Sequence, residues 1–473
     1  DIKNGIAFRN QGLAGRVTYR FDYRYFLEFN FGYTGSENFA VGHQYGFFPA
    51  ISGAWNIAEE SFLKNKLNWL GLFKIRYSYG KVGSDNLRDE ANNKIRFPYL
   101  YTIDNTDGYQ FADYGFTNSY SGKRFSGVAS PDVTWEIATK HDVGLDVSTF
   151  GDKFSFTVDY FDEKREGIFV ERKYLPTMIG LESNPWANVA KTKLRGFDGN
   201  FKFNQKIGQV NLTLRGNMTY SKSEIVDRDE ENRYYSYLMQ QGHRVNQAMG
   251  LIAEGLFKDY DDIRNSPKQD FGTVMPGDIK YKDVNGDGII NDDDKVAIGA
   301  TTRPNMVFGL GASLNWKGLD VSFRFQGSGK STYFIDGYNV YMFSSTVGWG
   351  NILKDFADSN RWISADISGD PSTEDPNADY PRLSYGGNSN NYRNSTYWLR
   401  NGSYVRLKEL SVGYSIPKHI VNKMHLNDIR IFFTGFNLLT WSSFKLWDPE
   451  MGSSNGIKYP NNRSYTLGLT VNL

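Results

Sequence analysis

The final ten residues, Ser464 to Leu473, alternate without a fault. Tyr465, Leu467, Leu469, Val471 and Leu473 point one way, and Ser464, Thr466, Gly468, Thr470 and Asn472 point the other. Strict period-two alternation places every apolar side chain on one face of a pleated strand. A closing strand with an oily face and a polar face suits a barrel wall in lipid, where the oily side turns outward and the polar side lines a wet lumen.

The same pattern returns along the chain. Val17, Tyr19 and Phe21 lead through a turn at 22–24 into Tyr25, Leu27, Phe29, Phe31 and Tyr33. Val143, Leu145 and Val147 lead through Gly151-Asp152 into Phe154, Phe156, Val158 and Tyr160. Val210, Leu212 and Leu214 back onto Asn211, Thr213 and Arg215, a polar wall that suits a lumen. Short turns alternate with long polar connections, among them 83–132, 225–303 and 327–401. A change of phase between Leu407 and Leu410 predicts a β-bulge at Lys408-Glu409.

The expected fold is all-β, a transmembrane antiparallel β-barrel wall of about thirteen strands. With a periplasmic C-terminus, every short turn falls on the periplasmic side and every long loop outside the cell. An odd count whose first strand enters from outside is not a whole single-chain barrel, because an open edge leaves unpaired backbone groups in lipid. Further strands are therefore expected from elsewhere. Asp1 is neither an initiator Met nor the start of an export signal, so an exported protein of this kind is expected to continue upstream.

Composition agrees with strands that face water on one side. Aromatic residues reach 16%, with 48 Gly, yet mean hydropathy is negative. No stretch approaches the roughly 20 consecutive apolar residues of a spanning helix. A net charge of +1 gives no electrostatic case for nucleic acid. The absence of Cys removes disulfides, thiolate metal sites and Cys nucleophiles together. His43, His141, His243, His419 and His425 are scattered without a second ligand or a carboxylate at catalytic spacing. The chain is not expected to be an enzyme.

One loop has the spacing of a cation site. In Asp283 to Asp294, DVNGDGIINDDD, a 12-residue calcium loop would take Asp283, Asn285 and Asp287 at its first, third and fifth positions. Gly288 then supplies the turn, the Ile289 carbonyl and Asn291 follow, and Asp294 closes the loop with a shorter arm than the usual Glu. The competing reading is a polar turn capped by side-chain hydrogen bonds, with no ion. Loop aromatics supply candidate ligand contacts, foremost Trp186, Trp349, Trp362 and Tyr341, which suit stacking on sugar rings or gripping peptide side chains. Packing within the loops is the alternative for each.

Several blocks carry a family resemblance. Gly46-Phe47-Phe48-Pro49 stands before a strand, and the Asp283 loop and Arg361-Trp362 follow in order. Then come Tyr380-Pro381-Arg382-Leu383, Gly402-Ser403-Tyr404-Val405-Arg406-Leu407-Lys408-Glu409-Leu410, Asn437-Leu438-Leu439-Thr440 and Asp448-Pro449-Glu450. With the terminal strand, these make residues 1–473 resemble the C-terminal part of the barrel of SusC-like TonB-dependent transporters of Bacteroidetes outer membranes. The resemblance implies a barrel of about 22 strands, whose plug and earlier strands lie outside this chain. It further implies active uptake of an oligosaccharide or a peptide, a SusD-like surface lipoprotein as lid, TonB acting through the plug, and dimers of such pairs. Two other classes stay open: a passive porin or protein-anchoring barrel, and a secreted calcium-binding β-sandwich adhesin.

Overall fold

The computed structural model describes residues 5–89, 91–113, 116–181, 183–341, 343–344, 352–358 and 360–472. Thirteen strands form one antiparallel sheet in strict sequence order. They are β1 (Asn10–Phe21), β2 (Tyr25–Ser36), β3 (Tyr45–Asn56), β4 (Leu70–Ser84), β5 (Glu136–Thr149), β6 (Phe154–Glu171), β7 (Trp186–Ile207), β8 (Val210–Asp227), β9 (Met306–Trp316), β10 (Leu319–Gly329), β11 (Tyr404–Ser415), β12 (Asp428–Ser442) and β13 (Ser464–Asn472). Of the connections, 22–24, 150–153, 208–209 and 317–318 are tight turns, 37–44, 57–69, 172–185, 416–427 and 443–463 are intermediate, and 85–135, 228–305 and 330–403 are long. Leu473 lies outside the described residues.

The chain divides into two compact units, one of residues 1–197, 221–233 and 239–242, the other of residues 198–220, 234–238 and 243–473. In the first, register carries one apolar row across six strands. Tyr19 faces Leu27, Leu27 faces Gly53, Gly53 faces Tyr77, Tyr77 faces Val143 and Val143 faces Tyr160. All five side chains of that row are exposed. In the second unit Leu310, Phe325, Leu407 and Leu439 make a comparable row. The terminal strand sets Tyr465, Leu467, Leu469 and Val471 outward against Gly435, Phe433, Ile431 and Ile429. Apolar side chains ranked side by side without protein cover are what a lipid-facing wall requires. The predicted bulge is present, because Lys408 drops out of both ladders between Leu407 and Glu409.

The long connections are not structureless. Residues 83–132 contain a hairpin, Thr102–Asp113 with Phe116–Gly127. Its first strand opens Thr-Ile-Asp-Asn-Thr-Asp, with no sustained apolar alternation to announce it. The connections 228–305 and 330–403 hold four further two-stranded pairings, among them Ala253–Leu256 with Ile279–Tyr281 and Thr332–Phe334 with Leu399–Asn401. Strands of two to six residues are too short to show a period.

Candidate functional site

Buried side chains concentrate in the long connections. In the second unit Leu251, Ile279, Ile335, Val340 and Phe356 are fully buried, and Trp362, Tyr380, Trp398 and Phe444 join them in one cluster. A smaller cluster in the first unit holds Phe39, Leu87, Val133, Trp135 and Phe169. The larger one is organised around a buried carboxylate. Asp278 accepts from Arg382 Nε at 2.7 Å, from the Asn388 and Asn391 side chains at 2.9 Å each, and from the Met275 N–H at 2.8 Å. The side chain of Asp278 is wholly buried, so this set of donors replaces the water it has lost. Its side-chain partners lie 104 to 113 residues away in sequence. Of this network, only Arg382 belonged to a block singled out in the sequence.

A buried cation fixes the connection after β12. Arg406, 1% exposed on β11, pairs with Asp448 and with Glu450, the latter at 2.9 Å. Lys408 reaches Glu450 at 3.4 Å. The Tyr404 to Leu410 and Asp448-Pro449-Glu450 blocks are thus the two halves of one clasp.

The predicted ligand residues separate. Trp186 stacks on Phe169 at 4.6 Å with the rings within 6° of parallel, packed against the smaller core. Its backbone N–H donates to Ser130 Oγ. Tyr341 stacks on Tyr392 at 4.2 Å and packs against the larger core, and burial pushes its phenol far above the ordinary tyrosine range. Trp349 lies outside the described residues. Trp362 is 6% exposed, its indole N–H has no partner among the described residues, and its ring sits against Gly277, where positive φ and lack of a Cβ admit it. Trp362 also walls a cavity of about 630 Å³ with Lys258, Met275, Arg361, Asp366 and Ile367, within the usual volume of ligand pockets. The larger core therefore brings Trp362 and Tyr341 together, while Trp186 belongs to the other unit.

In the Asp283 loop every expected ligand side chain is engaged in local hydrogen bonds. Asp283 accepts from the N–H groups of Gly286 at 2.7 Å and Gly288 at 2.9 Å. Asn285 accepts from Asp287, and Asp287 from Ile289. Asn291 caps a 3₁₀ turn by accepting from Asp293, and buried Asp294 accepts from Val284 and Asn291. Pairing with Lys268 and Asp270 uses the Gly288 and Ile290 carbonyls, which leaves the Ile289 carbonyl on the other side of the strand. Among the described residues no three carboxylate or imidazole groups are gathered as a metal site. The donors are all oxygen, as calcium prefers, and a carboxylate oxygen that takes one N–H keeps a second lone pair.

The polar face of the sheet carries ion pairs that cross glycines. In the first unit Arg76 lies opposite Gly144, and Gly144 opposite Asp159. The guanidinium reaches Asp159 at 2.8 Å and Asp146 at 2.8 Å. A Cβ at Gly144 would collide with both Arg76 and Asp159. In the second unit Arg430 meets Asp320 at 2.7 Å over Gly413, where a Cβ would strike both. Such a wall of fixed, half-exposed charges is suited to a wet lumen.

No family model matches the chain. TonB-dependent receptor P26 of Formosa agariphila is 30% identical over 98% of this chain and 46% of that protein. TonB-dependent receptor SusC of Bacteroides thetaiotaomicron is 24% identical over 97% of this chain and 43% of its own length. The chain thus spans about half the length of the curated relatives it matches. The solved RagAB peptide transporter superposes with a TM-score of 0.74 at 19% identity, over 98% of this chain and 47% of that one, a likeness of fold.

Proposed function

We propose that the chain is barrel wall of the SusC-like TonB-dependent-receptor kind, an outer-membrane strand structure, and that it serves active import across that membrane. The observation that carries the proposal is the pairing of similarity to such receptors over nearly the whole of this chain with a sheet that is oily on one face and charged on the other. In this reading the rest of the receptor supplies a plug and further strands, TonB pulls on the plug, and a SusD-like lipoprotein covers the long loops. The cargo is an oligosaccharide or a peptide.

The test is uptake by cells carrying the complete receptor, by cells from which it is deleted, and by cells carrying the complete receptor in a strain without TonB. Import that requires both the receptor and TonB supports the proposal. Uptake that persists without TonB makes the barrel a passive pore. Within the same reading the Asp283 to Asp294 loop is proposed to take calcium, on the support of its oxygen donors and their spacing. Micromolar-to-millimolar calcium should protect the loop from protease in the purified receptor, and Asp283→Ala should abolish that protection. Equal cleavage with calcium and with chelator would return the loop to a hydrogen-bonded turn.

A further inference from the structure

The 630 Å³ cavity beside Trp362 differs from the rest of the second unit in the state of its charges. Of the six ionic side chains on its wall, Lys258, Asp259, Arg361, Asp366, Glu374 and Arg382, three are already committed. Arg382 is held by Asp278, Asp259 caps the short helix Tyr260–Arg264 by accepting from Asp262 N–H, and Glu374 accepts from the Ala365 N–H at 2.7 Å. Arg361 is not committed. It has no side-chain hydrogen bond or ion pair among the described residues, although it is half-buried. Its surroundings hold its guanidinium below the ordinary arginine range by burial alone. Asp366 is likewise without an ion pair among the described residues, exposed on the wall of the same cavity.

Between these two charges the wall is apolar. Trp362 is buried, while Met275 at 41% and Ile367 at 82% expose their side chains. The backbone that follows Arg361 is tied down: Trp362 N–H donates to the Tyr380 carbonyl and Ile363 N–H to the Thr373 carbonyl, both at 3.0 Å. A half-buried guanidinium without a carboxylate is costly unless something pairs with it. A neutral sugar brings hydroxyls and stacking faces, but no charge to satisfy Arg361 and no chain to cover Ile367 and Met275. A short peptide brings a carboxylate, an ammonium and apolar side chains on one backbone.

We propose that this cavity is a peptide subsite in which Arg361 takes a ligand carboxylate by paired N–H donors, Asp366 faces its cationic end, and Trp362, Met275 and Ile367 cover its side chains. The proposal rests on the import reading and selects its cargo class as peptide. Arginine is suited to the carboxylate because its planar fork donates two parallel hydrogen bonds.

The experiment uses the complete receptor purified in detergent and titrated calorimetrically with a tripeptide of alanine, leucine and phenylalanine, the same peptide amidated at its C-terminus, and a neutral glucose hexasaccharide. The free peptide should bind, and amidation should weaken it at least tenfold. Arg361→Gln should produce the same loss with the free peptide and none with the amide, which separates lost recognition from lost folding. Ile367→Ala, at an exposed position, gives a second variant that folds and should weaken both peptides alike. Equal binding of acid and amide, or binding of the hexasaccharide alone, would overturn the proposal. Its failure is distinguishable from failure of the import reading, since TonB-dependent uptake in cells does not depend on which cargo occupies this cavity.

Discussion

Leu467 and Ile279 are both aliphatic residues on strands of one chain, yet the first is 79% exposed and the second wholly buried. The difference lies in the solvent each region is built for. The sheet has its oily residues uncovered in rows, as lipid will cover them, and keeps its charges half-exposed on the other face. The long connections do the reverse, with Leu251, Ile335 and Phe356 sealed inside and the Asp278 carboxylate buried only because donors from four residues meet it. They fold as water-soluble protein does. A sheet and connections built in these opposite ways have two separate sources of stability, and each should fail under a different insult.

The largest expected effect tests that separation. Arg382→Leu leaves Asp278 buried without its cation, a change that typically costs about 3–5 kcal/mol. Protease should then cut within residues 250–400 of the membrane-inserted receptor, while heat-modifiable gel mobility, which reports the sheet, stays as in wild type. Concerted loss of both signals would mean that the two regions share one stability after all. The converse substitution is Val143→Arg, at the middle of β5 on the lipid-facing row. A charge near the bilayer midplane costs about 2–4 kcal/mol in such barrels. Reduced recovery in the outer-membrane fraction is the expected result, and wild-type insertion would show that the row does not face lipid.

The two regions were unequally legible in the sequence for the same reason that they differ. A sheet wall repeats one rule over nine to twenty-two residues per strand, and thirteen repetitions made the strands and even the bulge at Lys408 readable. The loop core has no such period. Leu251, Ile279, Ile335 and Phe356 are brought together from distant stretches, and Asp278 finds Arg382 across 104 residues. Nothing local marks Asp278 as the hub. Of the aromatic residues named as candidate ligand contacts, Trp186 stacks on Phe169 against the smaller core, and Trp362 lies in the larger core beside Arg361.

A smaller effect sharpens what the polar face needs. Gly144→Val on β5 places a branched side chain where the Arg76 guanidinium passes to Asp159. Overpacking of this kind costs about 1–3 kcal/mol. The midpoint for loss of heat-modifiable mobility should fall, and Gly144→Ala should lower it less. If the two variants melt together at the wild-type temperature, the glycine crossing has no structural role and the ion pairs on that wall are ornamental to stability.

The smallest effect is one of pH, and it belongs to the loop region alone. Burial pushes the Asp262 carboxyl up, but the Lys280 hydrogen bond at 2.8 Å, together with the Lys258 N–H, outweighs it and leaves the group below its ordinary 3.8. A carboxyl depressed in the folded state contributes its stabilisation fully above its unfolded pKa and loses it as pH falls through the folded value. The contribution is therefore intact at neutral pH and disappears only below about pH 4. Protease sensitivity of residues 250–300 should rise on acidification through that window in wild type. In Lys280→Met the dependence should flatten and move upward in pH, because the pull that lowered Asp262 is gone. Sheet stability, read by gel mobility, should pass through the same window with no difference between the two proteins; a difference there would mean that an ion pair confined to the loops is felt in the wall.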